Sequence, residues 1–242
     1  MRSGFSLAAQ RVPARPAPSI AKAALWAIGS ISAFSLMAVA GRELADGFTP
    51  FEILFWRSLV GLAIVLVLIQ LSRPGLAQIA TAWPGLHGVR NIGHFFGQSC
   101  WFYAVGAIPL AQVFALEFTT PIWVLLAAPL VLGEAFTKWR ALAAVLGFAG
   151  ILLVIRPDQG AFSFAHFIAM AAAWGFAVNV MATKRLSATE TTLCILFWMT
   201  LSQTVFAFVC QAVWAGELWP KLPGTTDALW LGAMASRFSS GS

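Results

Sequence analysis

Charge is what this sequence has least of. Only 10% of its 242 residues are Asp, Glu, Lys or Arg, well under half the usual share. A soluble domain of this size needs more than that to cover its surface, so the scarcity excludes the soluble class. Cysteine is also scarce. Cys100, Cys194 and Cys210 all lie inside apolar runs rather than in loops at paired spacings, which excludes a secreted disulfide framework and predicts free thiols packed among apolar side chains. There are three histidines, His87, His94 and His166, with no His-Glu-x-x-His and no paired-aspartate motif. Neither a metal site nor a polytopic membrane enzyme is expected on that inventory. A phosphate-binding glycine loop is missing too, so nothing supports ATP-driven chemistry by this chain, and no cofactor is expected. The net charge is +6, but the cations are scattered between apolar runs and form no patch interleaved with exposed aromatics. That sets nucleic acid aside as a partner.

What fills the chain instead is hydrophobic residue, 60% of the total. A membrane-crossing helix needs about 20 predominantly apolar residues, because the hydrocarbon layer is about 30 Å thick. Seven segments meet that length, at 22–40, 51–71, 83–105, 110–132, 138–155, 163–182 and 192–214. An eighth apolar stretch begins near Asp227 and gives way to Ser236-Arg237-Phe238-Ser239-Ser240, too short to cross. Turn chemistry separates the segments: Gly47 to Pro50, Arg73-Pro74-Gly75, Gly106 to Pro109 and Arg156-Pro157-Asp158. Residues 1–21 carry Arg2, Arg11 and Arg15 and no compact apolar stretch with a small-residue cleavage site. They read as a cytoplasmic tail, with the first span as an uncleaved signal. With the N-terminus inside, eleven Lys and Arg residues lie at cytoplasmic ends and four (Arg42, Arg57, Arg156 and Lys221) at outer ends, the bias the positive-inside rule expects. Trp26, Trp83, Trp139, Trp214 and Trp219 fall near span ends, where aromatic belts form.

The chain also repeats itself. Offset by 142 positions, residues 33–59 share nine identities with residues 175–201, including Ile53-Leu54-Phe55-Trp56 on Ile195-Leu196-Phe197-Trp198 and Thr49 on Thr191. A unit of five spans is odd, so the second copy enters the membrane the other way up. This is an inverted repeat, an arrangement in which substrate binds near the midplane between the halves.

The residues along these spans resemble a known family. Thr49 to Arg57, Ile108 to Pro121, Leu132-Gly133-Glu134 with Arg140, and Gly147 to Ile151 through Arg156-Pro157 resemble, in order and spacing, the second to fifth spans of the EamA branch of the drug/metabolite transporter superfamily. The resemblance covers about residues 22–214. It implies an all-α polytopic membrane bundle of five-plus-five inverted helices, with a first repeat at 22–156 and an incomplete second repeat at 163–242. It implies secondary transport of a small metabolite in the inner or plasma membrane, and family members of this kind include uptake systems for compounds such as S-adenosylmethionine. The early end of the second repeat leaves a non-transporting fragment as the alternative. Expected partners are membrane lipid and a metabolite, with a homodimer possible.

Ionisable and polar groups at membrane depth are the candidates for function. Glu117 lies a third of the way along the fourth span, and Pro121, which has no N–H, frees the carbonyl one turn earlier. Thr120 is three residues on. Glu117 is either a proton-exchanging carboxyl or a packing glutamate paired to a neighbour. In the third span, Arg90, His94, Gln98 and Trp101 recur at intervals of four, four and three, on one stripe. That stripe reads as an interior face able to hydrogen-bond a polar or anionic substrate. Arg90 can alternatively snorkel to the surface, and His94 can serve as a buried hydrogen-bonded residue. Arg57 either pairs with Glu117 or anchors to outer headgroups. Gly93 and Gly97 form a small-xxx-small pair suited to close helix packing. Asn179 interrupts the sixth span, while Thr200, Gln203 and Thr204 share a face of the seventh. These could line the same cavity from the other side or bond between helices. Glu134 is expected to support its loop through Lys138.

Overall fold

Residues 20–131, 133, 137–155, 162–215 and 219–235 are described by a computed structural model. Among them are nine α-helices and a 3₁₀ turn, and no strand: α1 (Ile20–Leu44), α2 (Pro50–Leu71), the 3₁₀ turn (Gly75–Ile79), α3 (Pro84–Ala107), α4 (Leu110–Glu117), α5 (Thr120–Val131), α6 (Lys138–Ile155), α7 (Phe164–Leu186), α8 (Thr192–Ala215) and α9 (Thr225–Ala235). The N-terminal tail, the Glu134 loop position and residues 236–242 lie outside the described residues.

Among the described residues, five stretches are long and apolar enough to cross a membrane: Ile20–Leu44, Pro50–Leu71, Leu110–Val131, Phe164–Leu186 and Thr192–Trp214. The expected fourth span is two helices, α4 and α5, broken at Phe118-Thr119. The expected third span is a 24-residue helix, α3, about 36 Å long at 1.5 Å per residue. It is not one of the five because its polar stripe lowers its hydropathy, and the way that stripe is used explains the solvent. His87, Arg90, Asn91, Gln98 and Trp101 are buried, whereas Val89, Ile92 and Phe96 are exposed. Polar residues inside and apolar residues outside is the reverse of a water-facing helix, and it is the arrangement a bilayer rewards. The same holds elsewhere: Leu130, Leu153 and Val213 are each at least 75% exposed, which water would penalise. Trp26, Trp83, Trp139, Trp214 and Trp219 are all exposed near helix ends or in the adjoining segments. The protein is an integral membrane helix bundle.

Helix pairs α3–α7 and α2–α8 form its centre. In the first pair small residues let backbones meet. A Cβ placed on Gly175 would lie 2.7 Å from the Gly93 carbonyl oxygen and 2.8 Å from the Gly97 nitrogen. The Gly93/Gly97 pair therefore does the packing its spacing predicts. Helix starts are capped locally. The Thr49 hydroxyl accepts from the Glu52 N–H at 3.2 Å while the Glu52 carboxylate accepts from the Thr49 N–H at 2.8 Å, a reciprocal cap for α2. The same carboxylate accepts from the Lys221 N–H at 3.0 Å, so the fully buried Glu52 clips the chain before α9 to α2.

Several of these bonds recur 142 residues later. Thr191 Oγ1 accepts from the Cys194 N–H at 3.2 Å, as Thr49 does from Glu52. Phe48 N–H donates to the Leu44 carbonyl, and Glu190 N–H to the Leu186 carbonyl, both at 2.9 Å. The Trp56 indole N–H donates to the Lys221 carbonyl at 2.8 Å, and the Trp198 indole to the Ile79 carbonyl at 3.0 Å. Shifting both partners of the first indole bond by the same offset, one forwards and one backwards, produces the second.

Candidate functional site

Arg57 sits seven residues into α2, about 10 Å along it. It is 3% exposed. A guanidinium cannot be dehydrated there without acceptors, and two glutamines supply them. Gln98 Oε1 on α3 and Gln203 Oε1 on α8 both accept from Arg57 Nη2, the latter at 2.9 Å. Met37 Sδ on α1 lies 3.7 Å from Nη1, and the Phe102 ring centroid is 5.8 Å from the guanidinium carbon. The headgroup-anchor reading of Arg57 is thereby overturned: its partners are three helices of the interior. Ser58 Oγ donates to the same Gln203 oxygen at 3.1 Å. The Gln203 amide nitrogen is buried and has no hydrogen-bond partner among the described residues, so a donor in the cluster is left unused.

One turn further along α3, the Trp101 indole N–H donates to Glu117 Oε2 at 2.8 Å. Glu117 is the last residue of α4, the point at which Pro121 is expected to disturb the helix. The break is closed by the Thr119 hydroxyl, which donates to the Leu116 carbonyl at 2.7 Å, and by Thr119's own carbonyl, which accepts from Ile122 and Trp123 N–H. Trp101 is 1% exposed, with Phe34 and Phe102 against it at ring-centroid distances of 5.6 and 5.1 Å. Positively charged, amide, carboxylate and aromatic groups thus converge between α1, α2, α3, α4 and α8.

The rest of the predicted set divides. Arg90 does not snorkel. It is 5% exposed, its Nε donates to Thr183 Oγ1 at 2.8 Å and its Nη1 to Asn91 Oδ1 at 2.9 Å, with Met199 Sδ 3.6 Å from Nη2. Thr183 in turn donates to Asn179 at 3.4 Å, which brings Arg90 and Asn179 into one chain of contacts two turns of α3 away from Gln98. Half-buried His94 lies between them, its ring 6.1 Å from that of Phe176. Thr120 donates to the Ala173 carbonyl at 3.3 Å; with Pro121 it lines an apolar crevice of about 860 Å³ between α4, α5, α6 and α7 rather than extending the Glu117 cluster. Thr200 and Thr204 donate to carbonyls of their own helix, and only Gln203 of that face reaches across.

A second cluster, at the start of α3 and of α8, was not marked by any motif. His87 Nε2 meets Glu190 Oε2 at 2.5 Å, the Thr81 hydroxyl donates to the other Glu190 oxygen, and the Cys194 thiol lies 3.4 Å from Oε2. Burial opposes ionisation of Glu190, but the hydrogen bonds from Thr81, His87 and Cys194, with the charge of His87, outweigh it and hold the carboxyl below its ordinary value.

The EamA-like transporter family matches residues 21–156, more than half of the chain. The chain belongs to that family. Among relatives, it is 30% identical to a riboflavin transporter of Rhizobium johnstonii over 75% of this chain and 60% of that protein. It is 24% identical to an S-adenosylmethionine uptake transporter of Rickettsia prowazekii over 73% and 59%, and 28% identical to the pseudopaline exporter CntI of Pseudomonas aeruginosa over 76% and 64%. This EamA-like chain thus spans about three fifths of the length of these relatives. It also superposes on a solved crystal structure that is 20% identical, with a TM-score of 0.65, covering 92% of this chain and 78% of the other; at that identity the likeness speaks for the fold alone. The family and the names of its members point to transport rather than catalysis.

Proposed function

We propose that this EamA-like chain carries the midplane binding site of a secondary transporter for a small polar metabolite, set in the inner or plasma membrane with its N-terminus in the cytoplasm. The observation that carries this reading is the cluster of Arg57, Gln98 and Gln203 with the adjoining Trp101–Glu117 pair. Buried polar groups in hydrocarbon are costly, and one that is left unused, such as the Gln203 amide nitrogen, is a position for a ligand's acceptor. Arg57 supplies charge for an anionic or carbonyl group, and the Phe34, Trp101 and Phe102 rings supply faces for a flat or apolar part. The relatives named for riboflavin, S-adenosylmethionine and pseudopaline handle dissimilar molecules, so the class proposed is broad. Substrate import or export fits this site equally.

The two halves are read as an inverted repeat, with units at 22–156 and 163–242. The reciprocal indole bonds of Trp56 and Trp198 and the matching caps at Thr49 and Thr191 support it. Arg90, His94 and Asn179 are read as a second polar step along the same path, toward the cytoplasmic end. Glu117 is read as the coupling carboxyl. Its bond from the Trp101 indole places it beside the Arg57 cluster, where a bound substrate would reach it.

Vesicle uptake under an imposed pH gradient tests this. Glu117→Gln leaves a folded protein whose uptake no longer responds to the gradient. A folded variant with unchanged pH response and rate would refute the coupling role.

A further inference from the structure

The second polar cluster takes no part in the proposed transport site, and its chemistry is that of a metal-binding group. His87 Nε2, a Glu190 carboxylate oxygen and Cys194 Sγ lie within 4.8 Å of one another. They come from α3, from the turn between α7 and α8, and from the first turn of α8. We propose that these three side chains form a binding site for a borderline-soft divalent cation of the zinc type.

Imidazole, thiolate and carboxylate together are a donor set that zinc and its neighbours take and that magnesium or calcium does not. Zinc bonds of 2.0–2.3 Å in a tetrahedron place ligand atoms about 3.3–3.7 Å apart. The Glu190 Oε2–Cys194 Sγ separation is 3.4 Å. The Glu190–His87 separation is 2.5 Å and needs to open by about 1 Å, the room an ion makes by replacing the hydrogen bond between them. The Thr81 hydroxyl holds the other Glu190 oxygen, which orients the carboxylate as an outer partner orients a ligand. His87 is 2% exposed and Cys194 1%, and the Glu190 side chain is 7% exposed, so all three donors face inward.

Proton bookkeeping is simple. Cys194 loses its S–H proton to solvent and binds as thiolate. His87 binds the ion through Nε2 and carries its N–H at Nδ1, which has no hydrogen-bond partner among the described residues. Glu190 binds as carboxylate. Two negative ligands neutralise a divalent ion, so the bound cluster carries no net charge, and binding releases protons.

Cobalt(II) alone, titrated into the detergent-purified chain in chelator-free buffer, tests the site without any transport assay. The expected result is one ion per chain, with the visible bands of tetrahedral cobalt, a near-ultraviolet thiolate-to-cobalt band and proton release. Cys194→Ser abolishes the thiolate band and Glu190→Gln weakens binding at least tenfold, while Cys100→Ser and Cys210→Ser leave both intact. Absence of a thiolate band in the unmodified protein, which needs no variant to fold, overturns the proposal. So does a band that survives in Cys194→Ser.

Discussion

Gly175→Ala is the sharpest structural test of how α3 and α7 are held. The added methyl would sit 2.7 Å from the Gly93 carbonyl oxygen, 2.8 Å from the Gly97 nitrogen and 2.9 Å from the Gly97 Cα. All three are backbone atoms and none can swing away, so the helices must part by about 0.7–1 Å to reach ordinary contact. A gap of that size forfeits a quarter to a half of the dispersion energy of each pair it opens, and overpacking of this kind costs about 1–3 kcal/mol. Alanine returns up to about 1 kcal/mol through its better helix propensity. The net loss is about 1–2 kcal/mol, which for a chain of this size lowers the unfolding midpoint by about 2–8 °C. Gly147→Ala on α6, where a Cβ meets nothing within 4 Å, is the control and is neutral or stabilising. The assay is thermal unfolding in one detergent, followed by helical circular dichroism. A Gly175→Ala midpoint equal to or above that of the unmodified protein would refute close backbone packing of α3 on α7. Gly97→Ala, which meets the Phe176 ring at 2.9 Å and the Ala172 carbonyl at 3.1 Å, should fall between the two because the ring can yield.

The other predictions concern the polar groups. Thr49→Ala removes the α2 cap and the hydrogen bond to Gln211 at 2.8 Å, and should cost about 1 kcal/mol in the same melt; Thr191→Ala, which lacks the reciprocal carboxylate, should cost less. Gln203→Leu strips acceptors from Arg57 and Ser58 and should destabilise by about 1–3 kcal/mol, whereas Thr204→Val, which loses only an intrahelical bond, should be nearly silent. Arg57→Lys retains charge but loses the second terminal nitrogen beside Met37 and the flat guanidinium beside the Phe102 ring; metabolite uptake should fall at least tenfold with the protein still folded.

What the sequence made legible follows the ranges over which its patterns act. Helices show because a bilayer imposes about 20 apolar residues on each crossing. The α4–α5 break was legible from Pro121, and the interior placing of Gln98 and Trp101 from their helical spacing. Partners across helices were not. Arg57 could be placed a turn inside the membrane, but its acceptors lie 41 and 146 residues away, and no periodicity reports which face of α8 meets α2. Arg90 at a span end suggested snorkelling until packing supplied Thr183 and Asn91 as nearer acceptors. Thr200 and Thr204 shared a face with Gln203, yet short hydroxyls satisfy themselves on their own helix, while a glutamine is long enough to cross. His87 and Glu190, 103 residues apart, carried no motif at all. The Trp56/Trp198 identity was visible, but not that each indole would reach into the other half.

Uptake into proteoliposomes tests the central claim most directly, that Arg57 and its two glutamines bind substrate inside the membrane. A panel of labelled polar metabolites is offered to vesicles holding the unmodified chain and to vesicles holding Arg57→Gln. The account predicts accumulation of at least one compound above empty vesicles, lost in Arg57→Gln while the circular dichroism stays that of a helical fold. Transport by folded Arg57→Gln at the unmodified rate would contradict it.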